Sequence, residues 1–549
     1  MKFFMLPLGR AASSIPRPFG SRFSSIRSSP VLCTLYPVPV LTRRTFLART
    51  AALAGAATLR IPAFAEVSAA DLASDPRRPQ YHFLPARNWM NDPNGPIFWS
   101  GQYHMFFQYN PHAAIAADMH WGHAISPDMV HWRHLPVAIA PTPGGPDAAG
   151  CWTGSALAYG DNVAILYAGV VSAPENQATL RDGAHSLRES QCLAFSSGDL
   201  TEWTKFLKPV IAAPPPGLDV TGFRDPAPWR QDNSWYVAIG SGIRGQGGAV
   251  LLYRSTDLRQ WDYLHPLAQG SASGRSAANP VDSGDMWECP DFFPLGDRHV
   301  LLHSTGGRAY WQSGVLDPAT MLFHSERGGV LDHGAYYAPK SQLDARGRRI
   351  LWGWIQERRP EAEYSAAGWA GLMSLPRVLT LDARSDLQIE VAPEVEQLRE
   401  DEQPLRLTGH ETAVRKQLTQ LQIHGACGEI VVAFRRSADP VTLALVSPGA
   451  SGRAWLTCYW DPARPETILI EDQPVSLGAD PQPEVHLRFY IDGSAIEALV
   501  NRHGAFTQRF YYDGSSAPPI AVQVTSGLKS LTAFSLWQMR PISPNRLTT

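Results

Sequence analysis

Between residues 101 and 355, one pattern of polar and apolar positions recurs five times. A polar turn pair precedes a short run of apolar and aromatic residues. The copies are Gly101-Gln102 before Tyr103 to Tyr109, Asp161-Asn162 before Val163 to Ala168, and Asp232-Asn233 before Trp235 to Ile239. Asp297-Arg298 before Val300 to His303 and Gly347-Arg348 before Ile350 to Ile355 complete the set. Runs this short, rich in β-branched and aromatic side chains and bounded by turn formers, predict strands. A second repeat, Ser-x-Asp-(Met/Leu)-x-x-Trp, runs over 126–132, 197–203 and 255–261. It reads as a turn between two strands, with Ser and Asp bonding the turn backbone and Trp anchoring it. Five strand-rich units of roughly 50–70 residues predict a five-bladed β-propeller.

Helical patterning is sparse. Pro393 suits a first helical turn and Glu394 and Glu396 suit its positive end, so a helix is expected from Pro393 to Leu398 and on to Asp401. From about 405 the alternation of strands returns, as in 429–434, 485–491 and 495–500, which predicts an antiparallel β-sandwich. The expected fold is all-β: a propeller over 66–385, a linker over 386–404 and a β-sandwich over 405–549.

The first 65 residues differ. They hold nine Lys or Arg and no acid. Thr42-Arg43-Arg44-Thr45-Phe46-Leu47, the apolar run 51–59 and Ala63-Phe64-Ala65 follow the order of a secretory signal, and the paired arginines suit the twin-arginine type. The expectation is an exported protein, periplasmic or extracellular. An organellar transit peptide, or a start codon set too far upstream, also fits residues 1–40. Without this leader, 39 basic side chains face 50 acids, a net charge near −11 that disfavours nucleic acid. No later run is long and apolar enough to span a membrane. The six cysteines, Cys33, Cys151, Cys192, Cys289, Cys427 and Cys458, form no CxxC, so no metal is expected. Cys427 and Cys458 could pair or stay as two separate buried thiols.

Three acids stand beside aromatic residues or proline: Asp92 in Trp89-Met90-Asn91-Asp92-Pro93-Asn94-Gly95, Asp225 in Phe223-Arg224-Asp225-Pro226, and Glu288 in Met286-Trp287-Glu288-Cys289-Pro290-Asp291. Read singly, these are a tight turn, an Arg–Asp ion pair holding a loop, and a glutamate at a strand end. Together, in three units of a propeller, they can converge on one channel, where burial shifts carboxylate protonation.

These three motifs resemble the signatures of glycoside hydrolase family 32, the invertases, exo-inulinases and levanases. Phe107 to Pro111, His120-Trp121-Gly122-His123, Trp152-Thr153-Gly154-Ser155, Trp352-Gly353-Trp354, Leu375-Pro376-Arg377 and Ile491-Asp492-Gly493-Ser494 match as well, so the likeness runs from about 80 to 540. The resemblance implies a propeller with a β-sandwich and removal of terminal fructose from sucrose or fructans without a cofactor. It implies Asp92 as nucleophile, Glu288 as acid and base, and Asp225 as the acid that holds fructose hydroxyls. Arg224 would orient the carboxylates, and Asn91, Gln108, Trp121, Trp152, Thr153 and Ser155 would line the fructose pocket. Asp332 and Trp369 match positions near it. Trp152-Thr153 replaces the more usual Phe-Ser, and Ala116 stands where relatives often carry a Trp beside the leaving group. A fructosyltransferase would use the same acids, and an inactive sugar-binding propeller is the non-enzymatic alternative.

Overall fold

Each of the five apolar runs becomes the second strand of its own antiparallel sheet in the computed structural model. The structure describes residues 66–181, 186–405, 410–448, 453–479 and 482–549. The expected export signal and Cys33 lie outside them. The second strands are Gln102–Asn110, Asn162–Ser172, Ser234–Ile243, Arg298–Thr305 and Arg349–Ile355. Each pairs with the strand that opens its sheet: Asn88–Trp99, Gly150–Tyr159, Val220–Gln231, Glu288–Leu295 and Tyr336–Leu343. These five opening strands touch in series, first to second through to fifth, and the fifth touches the first again. Trp369–Ala370, a late segment of the chain, adds in parallel to the first strand's start.

The turn repeat is used as its chemistry predicts. Asp128 Oδ1 accepts from the Val130 and His131 amides, and Asp257 Oδ1 accepts from those of Arg259 and Gln260. The residue after each Asp, Met129, Leu200 or Leu258, is buried with φ of 60–67°. Side chains rarely adopt this left-handed conformation. Each is locked by its Trp, whose indole N–H donates to that residue's carbonyl at 2.9–3.0 Å.

One irregularity recurs in all five opening strands. Three steps along the strand face two steps on its neighbour, after Met90, Cys151, Arg224, Glu288 and Tyr337. This is a β-bulge, which leaves one residue out of the ladder and re-aims its side chain. In the last three sheets the bulge is a left-handed residue followed by proline: Asp225-Pro226, Cys289-Pro290 and Ala338-Pro339, with φ of 62°, 49° and 52°. Proline has no N–H, so nothing is orphaned when it leaves the ladder.

After the fifth sheet the chain builds two further antiparallel sheets. One is six-stranded and runs in the order 399–404, 531–539, 427–435, 484–492, 495–500, 504–509; the other is five-stranded, over 441–476 and 521–526. Apolar residues from both form one core around Phe434, Trp460, Phe489 and Phe534. The helix expected from Pro393 to Asp401 is corrected. A 3-10 turn over Pro393–Leu398 buries Val395 and Leu398, and Arg399–Pro404 then extends to pair with Leu531–Met539. Arg399, bound to Glu429, holds it there. Glu411–Gln420, in the stretch read as strands, is an α-helix burying Val414 and Leu418. Cys427 and Cys458 are both free and buried. No helix among the described residues is long and apolar enough to cross a membrane.

Candidate active site

The bulges deliver the candidate chemistry to one place. The same register position, just before the bulge, holds Arg224, Glu288 and Tyr337 in three successive sheets. They are hydrogen-bonded in series. Arg224 Nε and Nη2 donate to Glu288 Oε1 at 3.1 and 2.7 Å, and the Tyr337 hydroxyl donates to Glu288 Oε2 at 2.6 Å. Arg224 Nη1 donates to Glu189 Oε1 at 2.7 Å. Burial opposes the guanidinium charge, but Glu189, Glu288 and Asp225 together outweigh it and hold Arg224 charged. The ion pair expected between Arg224 and Asp225 is looser, at 3.9 Å.

Asp92 lies inside the first bulge and is buried. Its Oδ2 accepts from the Thr153 hydroxyl at 2.7 Å, and its Oδ1 accepts from the Asn91 amide at 3.1 Å. Trp89 Nε1 fixes Asn91 by donating to its side-chain oxygen at 2.8 Å. Thr153 sits at the matching position in the second sheet's bulge. The close approach of the two strands depends on Gly95: at φ 55°, a Cβ there would lie 2.0 Å from the Ala156 nitrogen.

Cys289 joins the acids. Its amide donates to Asp225 Oδ2 at 2.9 Å, and its sulfur lies 3.5 Å from Oδ2 of both Asp225 and Asp92. Burial, followed by Asp225, Asp92 and Glu288, pushes this thiol well up, so it is a neutral donor between carboxylates. Asp92, Asp225 and Glu288 therefore meet around one residue.

The candidate pocket residues fall into two sets. Thr153 and Asn91 bond Asp92 directly. Gln108 and Trp121 are buried braces, with Gln108 Nε2 donating to the Cys151 carbonyl and Trp121 Nε1 to the Trp152 carbonyl, each at 3.0 Å. Trp152 packs with Trp89, Met119 and Tyr364, and Ala116 lies against that cluster. Ser155 is half-buried two residues past Thr153, its backbone pressed on Gly95.

Asp332 and Trp369, expected near the pocket, are both fully buried and bonded to other groups. Asp332 Oδ2 accepts from Arg377 Nη1 and Nη2 at 3.0 Å and from the Thr507 hydroxyl at 2.6 Å. Trp369 is fully buried, donates to Asp75 at 2.8 Å and lies under the Arg359 guanidinium.

Glu189, Tyr337, Cys289 and Trp354 were not singled out as site residues from sequence. Trp354 is half-buried, meets Trp89 edge-on and packs against Cys289 and Tyr337. Tyr337-Ala338-Pro339 repeats the spacing of Arg224-Asp225-Pro226 and Glu288-Cys289-Pro290, a signal that could have found it. Among the described residues, His112, Asp118 and His120 could hold a metal ion. His112 and Asp118 are exposed, and His120 Nδ1 already donates to the Asp118 carbonyl at 2.8 Å.

Comparisons with known proteins agree with this geometry. The family model for the glycosyl hydrolases family 32 N-terminal domain matches residues 82–393. A sucrose-6-phosphate hydrolase of Escherichia coli is 33% identical over 482 residues, covering 84% of this chain and 94% of the relative. A raffinose invertase of Escherichia coli is 34% identical, covering 84% and 95%. Among solved structures, fructan 1-exohydrolase IIa from Cichorium intybus superposes with a TM-score of 0.68 at 28% identity, covering 85% of this chain and 98% of that one. Its fold, its clustered acids and the family match over more than half its length agree, and the chain belongs to glycoside hydrolase family 32.

Proposed function

We propose that this glycosidase is a retaining β-fructosidase that releases terminal fructose from sucrose or fructans. The observation that carries the reading is the contrast between two buried carboxylates at one centre. Asp92 is held by neutral donors, Thr153 and Asn91, as the carboxylate placed to attack. Glu288 lies between a cation and a phenol, Arg224 and Tyr337, which fix its two oxygens. A retaining mechanism calls for a nucleophile and an acid about 5–5.5 Å apart. Asp92 attacks the anomeric carbon of fructose while Glu288 protonates the departing oxygen. Glu288 then takes a proton from water, which breaks the fructosyl–Asp92 bond. Asp225, oriented by the Cys289 amide, holds fructose hydroxyls as positive charge develops.

The ring of opening strands supports a five-bladed propeller braced by a sandwich, and the pairing of Leu387–Val391 in the fifth sheet and of Arg399–Pro404 in the six-stranded sheet narrows the linker expected over 386–404 to the stretch between those two strands. The leader supports export by a twin-arginine signal; a fusion of residues 1–65 to a reporter that must fold before export tests this, with Arg43→Lys, Arg44→Lys as the blocked control.

Sugar release from sucrose, inulin, levan and sucrose 6-phosphate, with Asp92→Asn and Glu288→Gln as controls, tests the activity. Loss of fructose release in both variants supports the assignment. NMR of the first product distinguishes retention from inversion at the anomeric carbon. Transfer to a second sugar instead of water would make the chain a fructosyltransferase, and binding without release would leave a sugar-binding propeller.

A further inference from the structure

Glu189 is buried in the strand Ser186–Ser197 of the second sheet, one sheet away from Arg224 and two from Glu288. Both its oxygens are used. Oε1 accepts from Arg224 Nη1 at 2.7 Å, while Oε2 accepts from the Phe223 amide at 2.6 Å and the Thr179 hydroxyl at 3.1 Å. It thus grips Arg224 at both its backbone neighbour and its guanidinium. One cation is shared by two carboxylates from different sheets.

The sharing matters because a lone guanidinium in contact with a carboxylate favours its ionised form, commonly by one to three pH units. A general acid must instead keep its proton near the working pH. We infer that Glu189 is a positioning residue: it aims Arg224 at Glu288 and offsets the guanidinium charge, so that Glu288 holds its proton to higher pH. This rests on the reading of Glu288 as the acid. The other groups around Glu288 are Tyr337 and Lys340 from Tyr336–Leu343, Asp225 and Cys289 beside it, and Asp92 across Cys289. Lys340 Nζ donates to the Pro290 carbonyl at 2.8 Å. His303, stacked on Trp287, is pushed down to about 3 by burial and is neutral. Arg224 is the cation in direct contact with Glu288 oxygens, so its balance weighs most.

The test is the pH profile of kcat/KM for Glu189→Gln on sucrose or whichever fructoside the full chain hydrolyses. The alkaline limb, which reports loss of the proton from the acid, is expected to move to lower pH by about one unit. Glu189→Met, which removes the charge without placing an amide N–H against Arg224, is expected to shift it the same way. Glu189→Asp keeps the charge at a shorter reach; its limb stays near the parent's while kcat falls. If both neutral variants lose rate equally at every pH and the limb does not move, Glu189 is only structural and the inference is overturned. Glu288→Gln separates the two readings: if it leaves rate and limb intact, the assignment of Glu288 itself falls.

Discussion

The Thr153 hydroxyl donates to Asp92 Oδ2 at 2.7 Å across the boundary between the first two sheets. A donor aimed at a carboxylate stabilises its ionised form, which is the form a nucleophile needs. Thr153→Val keeps the shape and removes the donor. A hydrogen bond to a charged group contributes about 1.5–3 kcal/mol, so kcat/KM is expected to fall roughly 10- to 100-fold. Thr153→Ser restores it. A Val variant with parental kcat/KM would show that this bond does not support the reaction.

Tyr337 makes the opposite contribution to Glu288 from the one inferred for Glu189. Its hydroxyl donates to Glu288 Oε2 at 2.6 Å and so favours the ionised carboxylate. Tyr337→Phe removes that donor, and the alkaline limb is expected to move upward while the rate at the optimum falls about tenfold. Opposite shifts in the Tyr337 and Glu189 variants would tie both to one proton. Shifts of the same sign would contradict the geometry.

What could be read from sequence followed from local grammar. A bulge in an opening strand tolerates proline and re-aims the residues before it, so Asp92-Pro93, Asp225-Pro226 and the Glu288-Cys289-Pro290 run stood out as motifs. Tyr337-Ala338-Pro339 obeys the same rule, but a search for acids passes over a phenol. Glu189 carried no local sign at all: it sits mid-strand, and only the register of neighbouring sheets brings it to Arg224, 35 residues later. The turn repeat was legible in three sheets. In the last two, Met321 and Ser385 take the left-handed position without the closing Trp. Asp332 was placed near the pocket by resemblance alone, and nothing local in the sequence says that Arg377 claims it.

That claim has a measurable consequence. Arg377, on the fifth sheet, bonds Asp332 and also Glu497 of the six-stranded sheet, all three fully buried. Arg377→Met would remove the cation that two buried carboxylates share, a loss of about 3–5 kcal/mol. The Tm is expected to drop by many degrees, with activity of the surviving folded fraction retained. Asp332→Asn separates the two placements of that residue. In this structure it lowers Tm and leaves KM for the fructoside unchanged; a raised KM with parental Tm would return Asp332 to the pocket.

The same network sets a pH window for stability. His82 is buried between Asp492 and Glu497, with Nδ1 and Nε2 each 2.9 Å from a carboxylate oxygen. Burial opposes its charge, but the bonds to Asp492 and Glu497 outweigh burial and raise it to about 9. Glu497 is raised by burial, but Arg377 and His82 outweigh that and bring it down to about 2. A group raised on folding binds more protons in the folded state, so its contribution is complete below about 6.5, its unfolded value, and is lost as pH rises through about 9. Glu497 behaves in the opposite way: its contribution is present above about 4.5 and lost as pH falls toward 2. The lock is therefore strongest between about pH 4.5 and 6.5. His82→Gln keeps a polar side chain but cannot gain the proton. Denaturant unfolding of parent and variant from pH 5 to 9.5 should show the gap between them narrowing as pH rises, by on the order of 3 kcal/mol across the window. A gap of constant size would mean that His82 is buried neutral, with Glu497 held by Arg377 and the Leu375 amide and Asp492 by the Gln80–His82 backbone amides.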